Sequence, residues 1–61
     1  MNYIKGIDTD GRTQYINFDK VINISKYPNG NIKILIGAGL YFEILPNTIE
    51  SVDIFEVLER W

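Results

Sequence analysis

Apolar residues occupy even-numbered positions through the middle of the chain, and this alternation predicts β-strands with one buried face. The eight residues are Ile22, Ile24, Ile32, Ile34, Ile36, Leu40, Phe42 and Ile44. A period of two residues is typical of a strand that has one side in the core. Turn residues at 28–30 and 37–39 divide the pattern into three strands, which we expect to pair antiparallel with the even positions inside.

The turn Pro28-Asn29-Gly30 fixes the expected register of the first two of these strands. Asn-Gly often forms a two-residue hairpin loop, but that register would set even positions opposite odd ones and split the apolar face. A three-residue loop, with Gly30 in the left-handed conformation, keeps the face intact. The sequence therefore predicts that Ile24 lies opposite Ile34.

Two further turns are given the same loop length. One is Gly37-Ala38-Gly39, and the other lies near the N-terminus, where Asp8 and Gly11 frame a turn. These loops predict the cross-strand pairs Ile36–Leu40 and Ile4–Ile16.

After Pro46 the apolar period changes from two residues to the helical period. The spacing i, i+3, i+4, i+7 predicts an amphipathic helix over about residues 51–60, and it is formed by Ile54, Val57, Leu58 and Trp61. Ser51 is the preferred N-cap, and Asn47 with Glu50 three residues later is the alternative start.

The predicted fold is α+β and mostly β, in one domain of 61 residues. It is a five-stranded antiparallel meander or small open barrel with one C-terminal α-helix. The strands are expected at about residues 2–7, 12–17, 21–27, 31–36 and 40–45. A chain of this size buries only about 60% of its unfolded surface, so association with another chain is one way to stabilise it.

The composition argues against catalysis. The chain has no histidine and no cysteine, which removes thiolate metal sites, disulfides and the commonest general bases. Asp8 and Asp10 resemble part of a calcium loop, but Gly6 and Asn17 stand where further acidic ligands would be needed. We expect no enzyme activity, no catalytic residues, no cofactor and no metal site.

The odd-numbered face of the predicted sheet is unusually aromatic. One interpretation is that the helix covers this face, or that the barrel closes over the even side and leaves scattered tyrosines outside. The other is that the face binds a protein partner or a second copy of the chain. A third hypothesis is a phage or plasmid accessory protein that stacks single-stranded nucleic acid on tyrosines, which the net charge of −2 disfavours. The candidate partner-binding residues are Tyr15, Tyr27, Leu35 and Tyr41.

Neither a membrane span nor a secretion signal is expected. No apolar run approaches the 18 or so residues that a transmembrane helix needs, and the first residues lack a basic segment followed by an apolar one. We expect a cytoplasmic protein of bacterial or phage type.

One further pattern lies between about positions 10 and 45 and consists of Asp10-Gly11-Arg12, Tyr15-Ile16-Asn17, Asp19, Val21-Ile22, Ile24, Pro28, Ile32, Ile34 and Gly39. This pattern resembles the FlbD family of small flagellar or swarming proteins. The resemblance implies a flagellar or swarming accessory function, and no catalytic residue is carried over from it.

Overall fold

The computed structural model describes residues 2–53, which form six strands in two three-stranded antiparallel sheets. The strands are β1 (Asn2–Ile7), β2 (Thr13–Asn17), β3 (Asn23–Lys26), β4 (Ile32–Gly37), β5 (Leu40–Ile44) and β6 (Glu50–Asp53). Sheet A has the order β2-β1-β6 and sheet B has the order β3-β4-β5. A short 3₁₀ turn, Phe18–Lys20, follows β2.

The predicted α+β fold, with five strands in a meander or small open barrel and a C-terminal α-helix, is wrong. Residues 50–53, where the helix was expected to begin, form β6 and pair with β1, so that Val52 lies opposite Tyr3. The free edge of β1 offers backbone hydrogen-bond partners to this segment if it is extended. A β-branched valine also favours a strand. Residues 2–53 contain no α-helix, and the rest of the predicted helix, 54–60, lies outside the described residues.

The segment before β6 is a turn rather than the start of a helix. Asn47 has a φ of 63°, in the left-handed region. The Thr48 hydroxyl donates to the Leu45 carbonyl at 2.8 Å and accepts from the Ile7 N–H at 3.2 Å. These bonds turn the chain back alongside β1, so neither Asn47 nor Ser51 is a helix N-cap.

The registers predicted for two hairpins are confirmed. Ile4 pairs with Ile16, and Ile24 pairs with Ile34. Both turns place a glycine at positive φ, 83° at Gly11 and 95° at Gly30. The apolar alternation and the turn residues were sufficient here because they favour the same register.

The register predicted for the β4–β5 hairpin is wrong at its end. Gly37, rather than Ile36, lies opposite Leu40, and the register shifts between Leu35 and Gly37. Gly39 takes the left-handed conformation with φ 74°. The loop therefore shortens to two residues, and a β-bulge absorbs the extra residue in β4.

The core lies where the two sheets meet. It is built from four isoleucines, Ile4 and Ile16 of sheet A and Ile34 and Ile44 of sheet B. The sheets join at one end through the Asp8–Ile44 bridge. Gly6 faces this junction, and a Cβ built on it would lie 2.6 Å from Ile44 Cγ2, so a glycine is needed for the close approach.

Candidate functional site

The apolar face of sheet B is covered by sheet A at one end only. Along β5, Ile44 is fully buried, Phe42 is half-buried and Leu40 is 63% exposed. The three side chains share one face because they alternate along a strand. The burial of the side chains on this face therefore decreases toward the end of sheet B that is farthest from the Asp8–Ile44 bridge.

Side-chain burial also decreases across the sheet, from β4 to β3. Ile24 lies opposite the fully buried Ile34, yet Ile24 is 51% exposed, and Ile22 just before the strand is 66% exposed. We call Ile22, Ile24 and Leu40 the open apolar end. The prediction that every even-numbered apolar residue is buried is wrong for these three, because they lie outside the buried isoleucine cluster and outside the hydrophobic residues packed against it.

The backbone of β3 has unused hydrogen-bonding groups. β3 is the outermost strand of sheet B, and all four of its residues are exposed. The Tyr27 N–H donates to the Asn31 carbonyl at 2.8 Å, which sets the alternation of an antiparallel pair. Odd residues of β3 therefore bond to β4, and the N–H and C=O groups of Ile24 and Lys26 point to the free edge.

The region around β3 is positively charged. Between positions 20 and 42 the sequence holds three lysines and no acidic residue. Lys26 is exposed and lies two residues from Ile24 on the same face of β3. The Lys33 ammonium belongs to the opposite face, where it lies 4.8 Å from the centre of the Tyr41 ring.

The structure brings together two of the four residues predicted to bind a partner. Leu35 and Tyr41 are cross-strand partners on the outer face of sheet B, and Tyr41 is 52% exposed. Tyr27 lies farther along this sheet, where its N–H bonds to Asn31, and burial, followed by the charges of Glu43 and Tyr41, raises its pKa. Tyr15 lies in sheet A, opposite Lys5, and is not on the same sheet.

The acidic side chains near these faces are engaged in structural contacts. Glu43 accepts a 2.7 Å hydrogen bond from the buried Asn31 amide. Glu50 lies 3.4 Å from the Lys5 ammonium. Within residues 2–53 no three potential metal-ligating side chains come together.

Asp8 accepts hydrogen bonds from its own turn. Its carboxylate accepts a hydrogen bond from the Gln14 side-chain amide at 2.8 Å. It also accepts hydrogen bonds from the backbone N–H groups of Arg12 and Asp10 at 2.9 and 3.0 Å. The bond from Gln14 contributes most to lowering the pKa of Asp8. The Asp8 carboxylate therefore stabilises the turn between β1 and β2.

A concave region of about 290 Å³ lies on sheet A and shares no lining residue with the open apolar end. Its walls come from β1, from β6 with the residue before it, and from the 3₁₀ turn, and the lining side chains Phe18 and Ile49 are exposed. It is lined by Tyr3, Ile4, Phe18, Ile49, Glu50 and Ser51.

Ile22, Ile24 and Leu40 are the candidate binding residues that the sequence interpretation missed, because their spacing assigned them to the core. The exposure of these residues could have been expected from the number of apolar positions on each sheet. Sheet B carries eight even-numbered apolar positions in and beside its strands, whereas sheet A supplies two buried isoleucines, Ile4 and Ile16. The two buried isoleucines of sheet A are too few to cover eight apolar side chains of sheet B.

No protein-family model, no curated protein and no solved structure matches this chain. The resemblance to the FlbD family therefore stays a hypothesis. Within the part of the chain that the structure describes, no helix is long and apolar enough to cross a membrane.

Proposed function

We propose that this protein is a non-enzymatic interaction module that binds another protein, or a second copy of itself, through the open apolar end and the free edge of β3. The observation that carries the proposal is the 51% exposure of Ile24 beside the fully buried Ile34. An exposed aliphatic row that continues a core, next to unpaired strand edge groups, is typical of a protein-binding surface.

The exposed apolar area supplies part of the free energy of a weak or transient contact, and backbone hydrogen bonds along β3 would have to supply more. Burying one aliphatic side chain completely is worth about 1.5–3 kcal/mol. The open apolar end holds three such side chains, each with more than half of its surface exposed. Covering them would therefore contribute roughly 3–5 kcal/mol before the cost of association.

The aromatic outer face of sheet B is a second contact region in this proposal. Leu35, Tyr41 and Tyr27 lie on the side of the sheet opposite Ile24, so a partner that wraps around the β3 edge would meet both faces. The variant Tyr41→Glu distinguishes the contributions of the two regions to binding, because it changes the outer face and leaves the open apolar end intact.

The proposal places the protein in the cytoplasm and gives it no cofactor. Its support is the absence of cysteine from the whole sequence, which suits a reducing compartment. A flagellar or swarming role is supported by the resemblance alone.

Single-stranded nucleic acid is the second candidate partner. The three lysines without an acidic residue between positions 20 and 42 favour it, together with the exposed Tyr41 ring. Such binding should weaken steeply as salt is raised. Oligothymidine titration at about 50 mM and about 200 mM salt tests this.

The experiment that tests the main proposal is selection of a random peptide library on the immobilised full chain. We expect enriched peptides to lose at least tenfold in affinity on Ile24→Glu. The matched control is Ile49→Glu, another exposed isoleucine, which should leave binding unchanged. Equal loss on both variants, or no loss on Ile24→Glu, contradicts the proposal.

Light scattering across a dilution series then separates the two kinds of partner. A dimer of the wild type that Ile24→Glu converts to a monomer identifies a second copy as the partner. A wild-type monomer with peptides that depend on Ile24 identifies a different protein. A dimer that Ile24→Glu leaves unchanged contradicts binding at the open apolar end.

A further inference from the structure

We infer that the partner at the open apolar end is an extended, acidic segment of a different protein, added to sheet B as a fourth strand beside β3. This inference rests on the proposed function and specifies the chemistry of the partner. Three features of β3 support it: the free backbone groups, the exposed aliphatic side chains and the charge of Lys26.

The backbone groups determine the form of the partner. The outward N–H and C=O groups of Ile24 and Lys26 are spaced to pair with a strand, and a peptide that adds to a sheet edge gains its affinity from such bonds. The neighbouring pair β3–β4 is antiparallel. An added strand of antiparallel direction continues the same pattern.

The side chains determine the sequence of the partner. Ile24 and Lys26 lie on one side of β3, so the facing side of an antiparallel segment needs an acid opposite Lys26. An aliphatic residue should then follow two positions later, opposite Ile24. A second aliphatic residue four positions later extends toward Ile22, which lies just before β3 and whose N–H donates to the Leu35 carbonyl at 2.7 Å. An opposite-charge pair across strands is worth roughly 0.2–1 kcal/mol, and a like-charge pair destabilises.

The same charges disfavour a second copy of this chain as the partner. When two β3 strands pair antiparallel about Ile24, each Lys26 faces Ile22 of the other copy. β3 itself supplies no carboxylate, since the sequence has no acidic residue between positions 20 and 42. A foreign acidic strand supplies the missing charge.

The test is an NMR titration of the ¹⁵N-labelled full chain with two peptides that differ in one charge. The peptides are acetyl-Thr-Glu-Thr-Val-Thr-Val-Thr-amide and the same sequence with Lys in place of Glu. We expect the acidic peptide to bind at least about fivefold more tightly, the ratio that about 1 kcal/mol gives. The largest amide shifts should fall on Ile24 and Lys26.

Two charge variants make the test specific. Lys26→Glu should reverse the preference, so that the basic peptide binds more tightly. Lys33→Glu is the matched control, because Lys33 lies on the opposite face over Tyr41, and it should keep the preference for the acidic peptide.

The outcomes separate this inference from the proposed function. Equal affinity for both peptides, or no shift from either while library peptides still depend on Ile24, overturns the acidic strand and leaves the interaction module standing. A wild-type dimer that depends on Ile24, or shifts at these amides from oligothymidine but from neither peptide, also overturns it. A charge preference that reverses on Lys26→Glu and persists on Lys33→Glu supports it.

Discussion

Ile24 and Ile34 are cross-strand partners on the same face of sheet B, yet Ile34 is fully buried and 51% of the surface of Ile24 is exposed. At this row of sheet B, the boundary between buried and exposed apolar side chains therefore runs between β3 and β4. It differs from the boundary that the apolar pattern of the sequence predicts.

The first prediction contrasts these two isoleucines. Ile34→Ala should lower the free energy of unfolding by about 2–5 kcal/mol, because it leaves a cavity in the core. Ile24→Ala should cost about 1 kcal/mol or less, since roughly half of the side chain is already in water. Urea unfolding measures both, and equal losses would show that Ile24 belongs to the core.

The second prediction concerns the junction of the two sheets at Gly6. Gly6→Ala should destabilise by about 1–3 kcal/mol, because the new Cβ meets the Ile44 side chain and overpacks the core. Gly37→Ala is the matched control, since a Cβ there lies 3.6 Å from its nearest neighbour, Leu40.

A double-mutant cycle identifies the cause of the Gly6→Ala effect. Ile44→Leu removes the branch at Cβ that the alanine would strike, so Gly6→Ala should cost less in that background. If the cost of Gly6→Ala is the same with leucine and with isoleucine at position 44, the clash is not the cause.

The third prediction is a pH dependence at Asp8. Hydrogen bonds lower the pKa of Asp8 from its usual value of 3.8, so the folded state binds this proton less readily than the unfolded state. The resulting stability is present above about pH 4 and is lost as the pH falls through the folded-state pKa. The urea unfolding midpoints of wild type and Asp8→Asn should differ at pH 6 and converge at pH 2–3.

Asp10→Asn is the control, because Asp10 lies in the same turn. It should follow the wild-type pH dependence, and the difference between wild type and Asp8→Asn should be larger at pH 6. A difference that stays constant from pH 6 to pH 2–3 would contradict a role for the Asp8 charge.

The fourth prediction tests the bond between Asn31 and Glu43. Asn31→Ala should lower the free energy of unfolding by about 1–3 kcal/mol, because it removes a donor to a charged, partly buried carboxylate. Asn23→Ala, on the exposed strand β3, should change it by less than about 0.5 kcal/mol. A similar effect of the two substitutions would show that the bond contributes little.

Local patterns were sufficient to predict the two hairpins with an unambiguous turn. Around Gly11 and Gly30, the left-handed glycine and the apolar alternation both require a three-residue loop, and the predicted registers are confirmed. At residues 37–39 two glycines offered two loop lengths, so the sequence did not determine the bulge.

Long-range relationships were not predictable in this way. Residues 50–53 join sheet A because β1 has a free edge, which is a property of the folded sheet and not of the segment. The exposure of Ile24 has a similar origin, since it depends on how far sheet A reaches. Of the predicted partner-binding residues, the odd-numbered pattern brings Leu35 and Tyr41 together but could not show that Tyr15 lies on the other sheet.

The measurement that tests the central claim most directly is solvent paramagnetic relaxation of the isoleucine methyl groups at low protein concentration. A soluble nitroxide should strongly broaden the Ile24 methyl signals and leave those of Ile34 sharp. Broadening of Ile24 would show that the apolar face of sheet B is open to a partner. Methyl signals of Ile24 as protected as those of Ile34 would contradict the account.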